Sequence, residues 1–99
     1  MFLERRTVSR KTAGDGRLEI TKQAALVIEP LGQTLTVELA GETVQASLGT
    51  MACTCRGAEN PHVHYFLQCD RFKSLAAQSV VDLELDRTRD CVVVLLSVP

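Results

Sequence analysis

The stretch Gln33-Thr34-Leu35-Thr36-Val37-Glu38-Leu39-Ala40-Gly41-Glu42-Thr43-Val44-Gln45-Ala46-Ser47-Leu48 decides the fold class. In its first half Leu35, Val37 and Leu39 alternate with Thr34, Thr36 and Glu38. In its second half Val44, Ala46 and Leu48 alternate with Thr43, Gln45 and Ser47. A period of two is the spacing of a strand that buries one face. Ala40-Gly41 is a tight turn, with glycine supplying the positive φ that a two-residue connection needs. The segment reads as a β-hairpin.

The same period recurs outward from the hairpin. Downstream, Met51 to Cys55 and His62 to Leu67 read as strands. Asp70 is placed to cap a helix over Arg71 to Gln78, with Phe72, Leu75 and Ala76 on its buried side. Val81, Leu83 and Leu85 alternate with Asp82, Glu84 and Asp86. Cys91 to Val98 is apolar except for Ser97 and Val-rich, the composition of a central strand. Upstream, Leu3 to Ser9 and Arg17 to Thr21 are expected to pair across a loop holding Gly14-Asp15-Gly16. Ala24 to Ile28 is a short apolar run closed by Pro30 and Gly32. The expected architecture is all-β, or mainly β with one short helix near residues 70–78. It is a small barrel or sandwich of about eight short strands in a single domain over residues 1–99.

Composition narrows the class. A chain of 99 residues with 45% apolar and 23% charged residues suits one soluble globular domain with a modest core. The start Met-Phe-Leu-Glu-Arg-Arg lacks the apolar segment of a secretory signal, and no apolar run has membrane-spanning length. A cytoplasmic protein with reduced thiols is expected. Net charge is −1, yet residues 1–22 carry six Lys/Arg against three acids, and the remainder five against nine. The plainer reading of this end is a solvated surface strand; as a contact for phosphate or an acidic partner, the candidates are Arg5, Arg6, Arg10, Lys11 and Arg17 around the Gly14–Gly16 loop, with Arg56 beside the Cys/His hairpin.

The chemistry concentrates in Cys53-Thr54-Cys55, the spacer Arg56-Gly57-Ala58-Glu59-Asn60-Pro61, and His62-Val63-His64. Residues two apart on a strand share a face. The spacer is rich in turn residues. Folded as a hairpin over about residues 51–67, it sets Cys55 opposite His62 and Cys53 opposite His64. Opposed Cβ atoms lie about 4.5–5.5 Å apart. Two thiolates and two imidazoles make a tetrahedral set suited to one zinc ion rather than magnesium or calcium. Four protein ligands leave no place for water, so the expected zinc is a structural staple. Cys69 is the reserve ligand. Cys91, inside the apolar run, is expected as a core thiol.

Gly57-x4-His62-x-His64 resembles the first metal motif of the cupins over about a dozen residues. The resemblance implies a small β-barrel with a metal held by an H-x-H strand, here with one residue fewer after the glycine and no third His downstream. The Cys-x-Cys start is similar to that of SWIM-type zinc domains, whose second half, C-x-H, is replaced here by Cys69-Asp70-Arg71.

No catalytic motif or Gly-rich phosphate loop is present. The leading expectation is a non-enzymatic, zinc-stapled β module for macromolecular recognition, with a protein partner set slightly ahead of nucleic acid. For nucleic acid, Tyr65 or Phe66 would supply a stacking ring; Phe66 is otherwise expected in the core. One alternative is a cupin-like metal-dependent enzyme with an open site at His62 and His64. Another is a metal-free protein that dimerises through its apolar C-terminal strand. The staple reading predicts stoichiometric zinc by elemental analysis, and loss of metal and stability together in Cys53→Ser. Melting of that variant and of His64→Ala like wild type, with no effect of EDTA, would refute it.

Overall fold

The computed structural model describes residues 1–53 and 62–96, with the backbone alone at Cys53 and His62. It is mainly β, as expected. The elements run β1 (Phe2–Thr7), α1 (Arg10–Asp15), β2 (Arg17–Ile20), α2 (Lys22–Ile28), β3 (Thr34–Leu39), β4 (Glu42–Cys53), β5 (His62–Gln68), β6 (Val80–Asp86) and β7 (Cys91–Leu96). Short 3₁₀ turns span Glu29–Leu31 and Asp70–Ser74. The seven strands form one nearly closed, barrel-like sheet in the order β1-β6-β7-β3-β4-β5-β2. All neighbours are antiparallel except β3 and β7.

The alternation seen in the sequence sorts the two faces. Leu35, Val37 and Leu39 of β3, Val81, Leu83 and Leu85 of β6, and Leu18 and Ile20 of β2 are buried inside. Phe72 and Ile28 join them from the 3₁₀ turn and α2. The hairpin closes with Leu39 opposite Glu42, leaving Ala40 (φ 52°) and Gly41 (φ 81°) as the turn. The apolar run Cys91–Leu96 is central, flanked by β6 and β3. Both its edges are used, so it offers no ladder to a second copy. Cys91 is buried, and burial pushes its thiol up from the ordinary value.

Several sequence expectations are corrected. Strands β1 and β2 do not pair with each other: β1 pairs with β6 and β2 with β5. The chain between them is a helix rather than a loop. The Ser9 side chain accepts from Thr12 N at 3.3 Å as the N-cap, and Gly16 at φ 72° ends the helix with its N–H on Thr12 O. These are ordinary start and stop signals. The run Ala24–Ile28 is likewise helical. The Thr21 side chain caps it by accepting from Ala24 N at 3.2 Å, and Ala24, Ala25 and Ile28 share its buried side. The chain does not break at Gly49, because β4 continues to Cys53. The helix expected over 70–78 is a single 3₁₀ turn over Asp70–Ser74; Phe72 and Leu75 are buried as read, and Ala76 is exposed.

The edge strands β1 and β2 approach each other and are joined by side chains. Glu4 of β1 accepts from the Thr21 backbone N–H at 3.2 Å through both carboxylate oxygens, and from the Thr21 hydroxyl. Arg6 lies 3.4 Å from Glu4 and 4.0 Å from Glu19 of β2. Two exposed strand edges are thereby turned toward each other, a common way of avoiding edge-to-edge aggregation.

Two positive-φ sites are expected to respond oppositely to substitution. Ala40 is exposed and left-handed, so Ala40→Asn should raise the unfolding free energy by about 1 kcal/mol. Gly16→Ala should lower it by roughly 2 kcal/mol or more, since a Cβ there would meet Cys69 O at 2.5 Å. Urea unfolding of both variants checks the signs.

Candidate functional site

The outer face of β4, β5 and β2 presents side chains in rows set by the register. One row is Ser47, Gln68 and Arg17; the next is Gly49, Phe66 and Glu19; then Met51 stands opposite His64. With Ser9 and Lys11 from α1 and its cap, Arg17, Glu19, Met51, Ala52, His64 and Phe66 line a groove of about 490 Å³.

The floor of this groove is held by one absence. Gly49 lies directly opposite Phe66, and a Cβ on Gly49 would come within 2.7 Å of the ring. Glycine inside a strand often marks such a close approach. The ring in turn carries Arg17, whose Cζ lies 4.9 Å from its centroid. Arg17 Nε donates to Gln68 Oε1 at 2.9 Å, and Gln68 Nε2 donates to Asp15 O at 2.7 Å. The α1 side is tied down by Cys69 N donating to Gly16 O at 2.8 Å, and by the buried Thr12, whose hydroxyl donates to Arg17 O at 2.7 Å. A short helix that would not stand alone is thus fixed to the strand ends.

Acidic and imidazole groups occupy the far side. Glu19 Oε1 lies 3.1 Å from His64 Nδ1 and 4.0 Å from Arg6. Among the described residues, Arg10 and Lys11 are exposed and take part in no hydrogen bond or ion pair. Arg5 is different. It pairs with Asp82 across β1 and β6 through Nε at 2.7 Å and Nη2 at 3.2 Å. This bond holds the Asp82 carboxyl below the usual carboxylate range. Its contribution is therefore present above about pH 4 and is lost as pH falls through the lowered value.

The sequence-predicted residues divide accordingly. Lys11 and Arg17 line the groove and Arg10 stands on the same helix as Lys11, whereas Arg5 and Arg6 face acids. Arg56 and Cys55 lie outside the described residues, and of the four expected zinc ligands only the His64 side chain is described. The hairpin register differs from the expected one by two residues: Cys53 stands opposite His62, and Met51 opposite His64. The expected register would put Met51, not Gly49, opposite Phe66, where the ring needs a partner without a Cβ. Cys69 is buried in the core, on the opposite side of the chain from His64 by strand parity. Among the described residues, no three His, Cys, Asp or Glu side chains gather to hold a metal ion, and no helix is long and apolar enough to cross a membrane.

Tyr65 packs inward against the core, while Phe66, expected in the core, lies on the groove. Gln68, Glu19, Met51 and Gly49 were not singled out by the sequence reading. The one signal for them was Gly49 itself, a glycine inside an alternating strand.

No family model matches the chain, and no curated protein matches it. The fold is similar to that of Arabidopsis FUS3. That protein was solved as a FUS3-DNA complex; the TM-score is 0.72 at 14% identity, over 99% of this chain and 98% of that chain. At this identity the likeness concerns the fold, and it takes in nearly the whole of both chains.

The Gly49–Phe66–Arg17 arrangement makes a direct prediction. In wild type the Arg17 Cδ protons should be shifted upfield in ¹H NMR by the Phe66 ring. Gly49→Ala should abolish that shift and cost about 1–3 kcal/mol of stability by overpacking. An unshifted Arg17 in wild type would contradict the stack.

Proposed function

We propose that this chain is a DNA-binding β module that uses the groove between α1 and the outer face of β2, β5 and β4. The observation that carries the reading is the full-length likeness to a fold captured with DNA. The groove chemistry supports it. Arg10 and Lys11 stand unpaired among the described residues, Arg17 is held in a fixed pose, and Phe66 offers an aromatic surface. A near-neutral chain can bind a polyanion when its positive charge is gathered on one face. Nucleic acid is thereby put ahead of a protein partner, reversing the order suggested by the sequence. No catalytic role is needed.

A zinc staple at the end of the same hairpin is a separate proposal; Cys53 stands opposite His62 there, while Met51 rather than a cysteine stands opposite His64. It is tested by the metal analysis described above.

Fluorescence anisotropy with a mixed-sequence DNA duplex tests the main reading. Binding should weaken steeply with salt. Arg10→Ala/Lys11→Ala should reduce affinity several-fold and flatten the slope of log K against log salt by about 2, near one unit per lost phosphate contact. Arg5→Ala should leave the slope unchanged, because Arg5 is engaged by Asp82. No retention of any duplex at about 50 mM salt would refute the proposal.

A further inference from the structure

The cations beside the groove are of two kinds. Arg10 and Lys11 are exposed on a short helix and engaged by nothing among the described residues. Charges of that kind track a phosphate backbone, where reach and sign matter more than pose. Arg17 is built differently. It is half-buried, its guanidinium lies over the Phe66 ring at 4.9 Å, and its Nε is committed to Gln68 Oε1 at 2.9 Å. Gln68 is itself fixed through its amide to Asp15 O. Of the five N–H donors of a guanidinium, the four on the two Nη nitrogens remain. Among the described residues no acceptor takes them. The fork is therefore held at its root and open at its tip.

The surroundings favour a base edge over a phosphate at that tip. Glu19 lies two residues along the same strand, roughly 6.7 Å away along the backbone, on the same face of the sheet. Its carboxylate repels phosphate. Phe66, Met51 and Ala52 give the rest of the groove an apolar lining. A surface meant only to follow a backbone has no use for an acid and a ring at its centre. Base edges, neutral and partly apolar, fit both. The conformational cost of ordering an arginine is already met by the stack and the Gln68 bond, which is the preorganisation that directional recognition requires.

The geometry points to Arg17 as the specificity-determining residue of the groove: its two Nη nitrogens donate to O6 and N7 of a guanine in the major groove of duplex DNA. That pairing is the commonest use of an arginine fork on DNA. Lys11 and Arg10 hold the flanking phosphates. This assignment rests on the proposed DNA-binding function.

The test starts from sites selected by wild type out of a randomised duplex pool. These should share one invariant guanine. Replacing that guanine with 7-deazaguanine, which lacks the N7 acceptor, should weaken wild-type binding on the order of tenfold. Arg17→Lys keeps the charge but not the fork. It should keep the wild-type salt slope, lose the preference at that one position, and be indifferent to 7-deazaguanine. Phe66→Leu, which leaves Arg17 in place without its stack, should lower the same discrimination several-fold at similar non-specific affinity. Thermal melts of both variants establish that they are folded. Unchanged specificity in Arg17→Lys would overturn the assignment and leave DNA binding standing. So would an Arg17→Ala variant that weakens every duplex equally and lowers the salt slope by about one. If wild type retains no duplex at low salt, the DNA-binding reading fails and the assignment with it.

Discussion

The parallel ladder between β3 and β7 is the joint on which this molecule depends. It pairs Thr36 through Leu39 with Cys91 through Val94. On one side of it β3, β4, β5 and β2 form an antiparallel half; on the other β7, β6 and β1 form a second. Val37, Val92 and Val94 are essentially without solvent contact at the joint. β-Branched residues buried on a central strand are the usual composition of such a pairing. Because the joint lies in the middle of the order, the remaining edges are β1 and β2. The twist of a seven-strand sheet brings those edges toward each other, and Glu4 and Arg6 bridge them through Thr21 and Glu19.

That closure also explains how the groove comes to exist. Once the inward residues Leu18, Leu67 and Ala46 are buried, the alternate residues on β2, β5 and β4 must stand outside. Helix α1 leaves β1, crosses to β2, and is pinned at Gly16 against Cys69 O. It therefore forms a wall beside that outer face. A backbone contact between two residues distant from each other in sequence, Gly16 and Cys69, thus helps determine where Lys11 stands. The same register that buries the inner row puts Gly49 under Phe66 and Gln68 beside Arg17. Core and site are two faces of one pairing pattern.

Much of the barrel was legible in the chain. The hairpin over 33–48, the alternation at 81–86 and the apolar run from Cys91 are local patterns, and local patterns depend only on the residues that make them. The capping residues Ser9, Gly16 and Thr21 are equally local signals, and they make helices of two segments that lie between strands. The basic residues were found as a group, but their division was not visible. Arg5 meets Asp82, 77 residues away, and Arg17 meets Gln68, 51 residues away. No spacing rule reaches that far.

By itself, then, the sequence determined the hairpin over 33–48, the apolar faces of β3 and β6, the apolar strand from Cys91, and that positive charge is concentrated in the first quarter of the chain. The tertiary structure alone decided that β1 and β2 pair with distant partners rather than each other. It also decided that Gly49 is a seat for Phe66 rather than a break in β4, and that of the early cations Arg10 and Lys11 are exposed while Arg17 is aimed. The physical reason is one of range. Period and capping act over a few residues, whereas register is set by the burial of a whole inner face, and a shift of two residues changes every cross-strand neighbour without changing any local pattern.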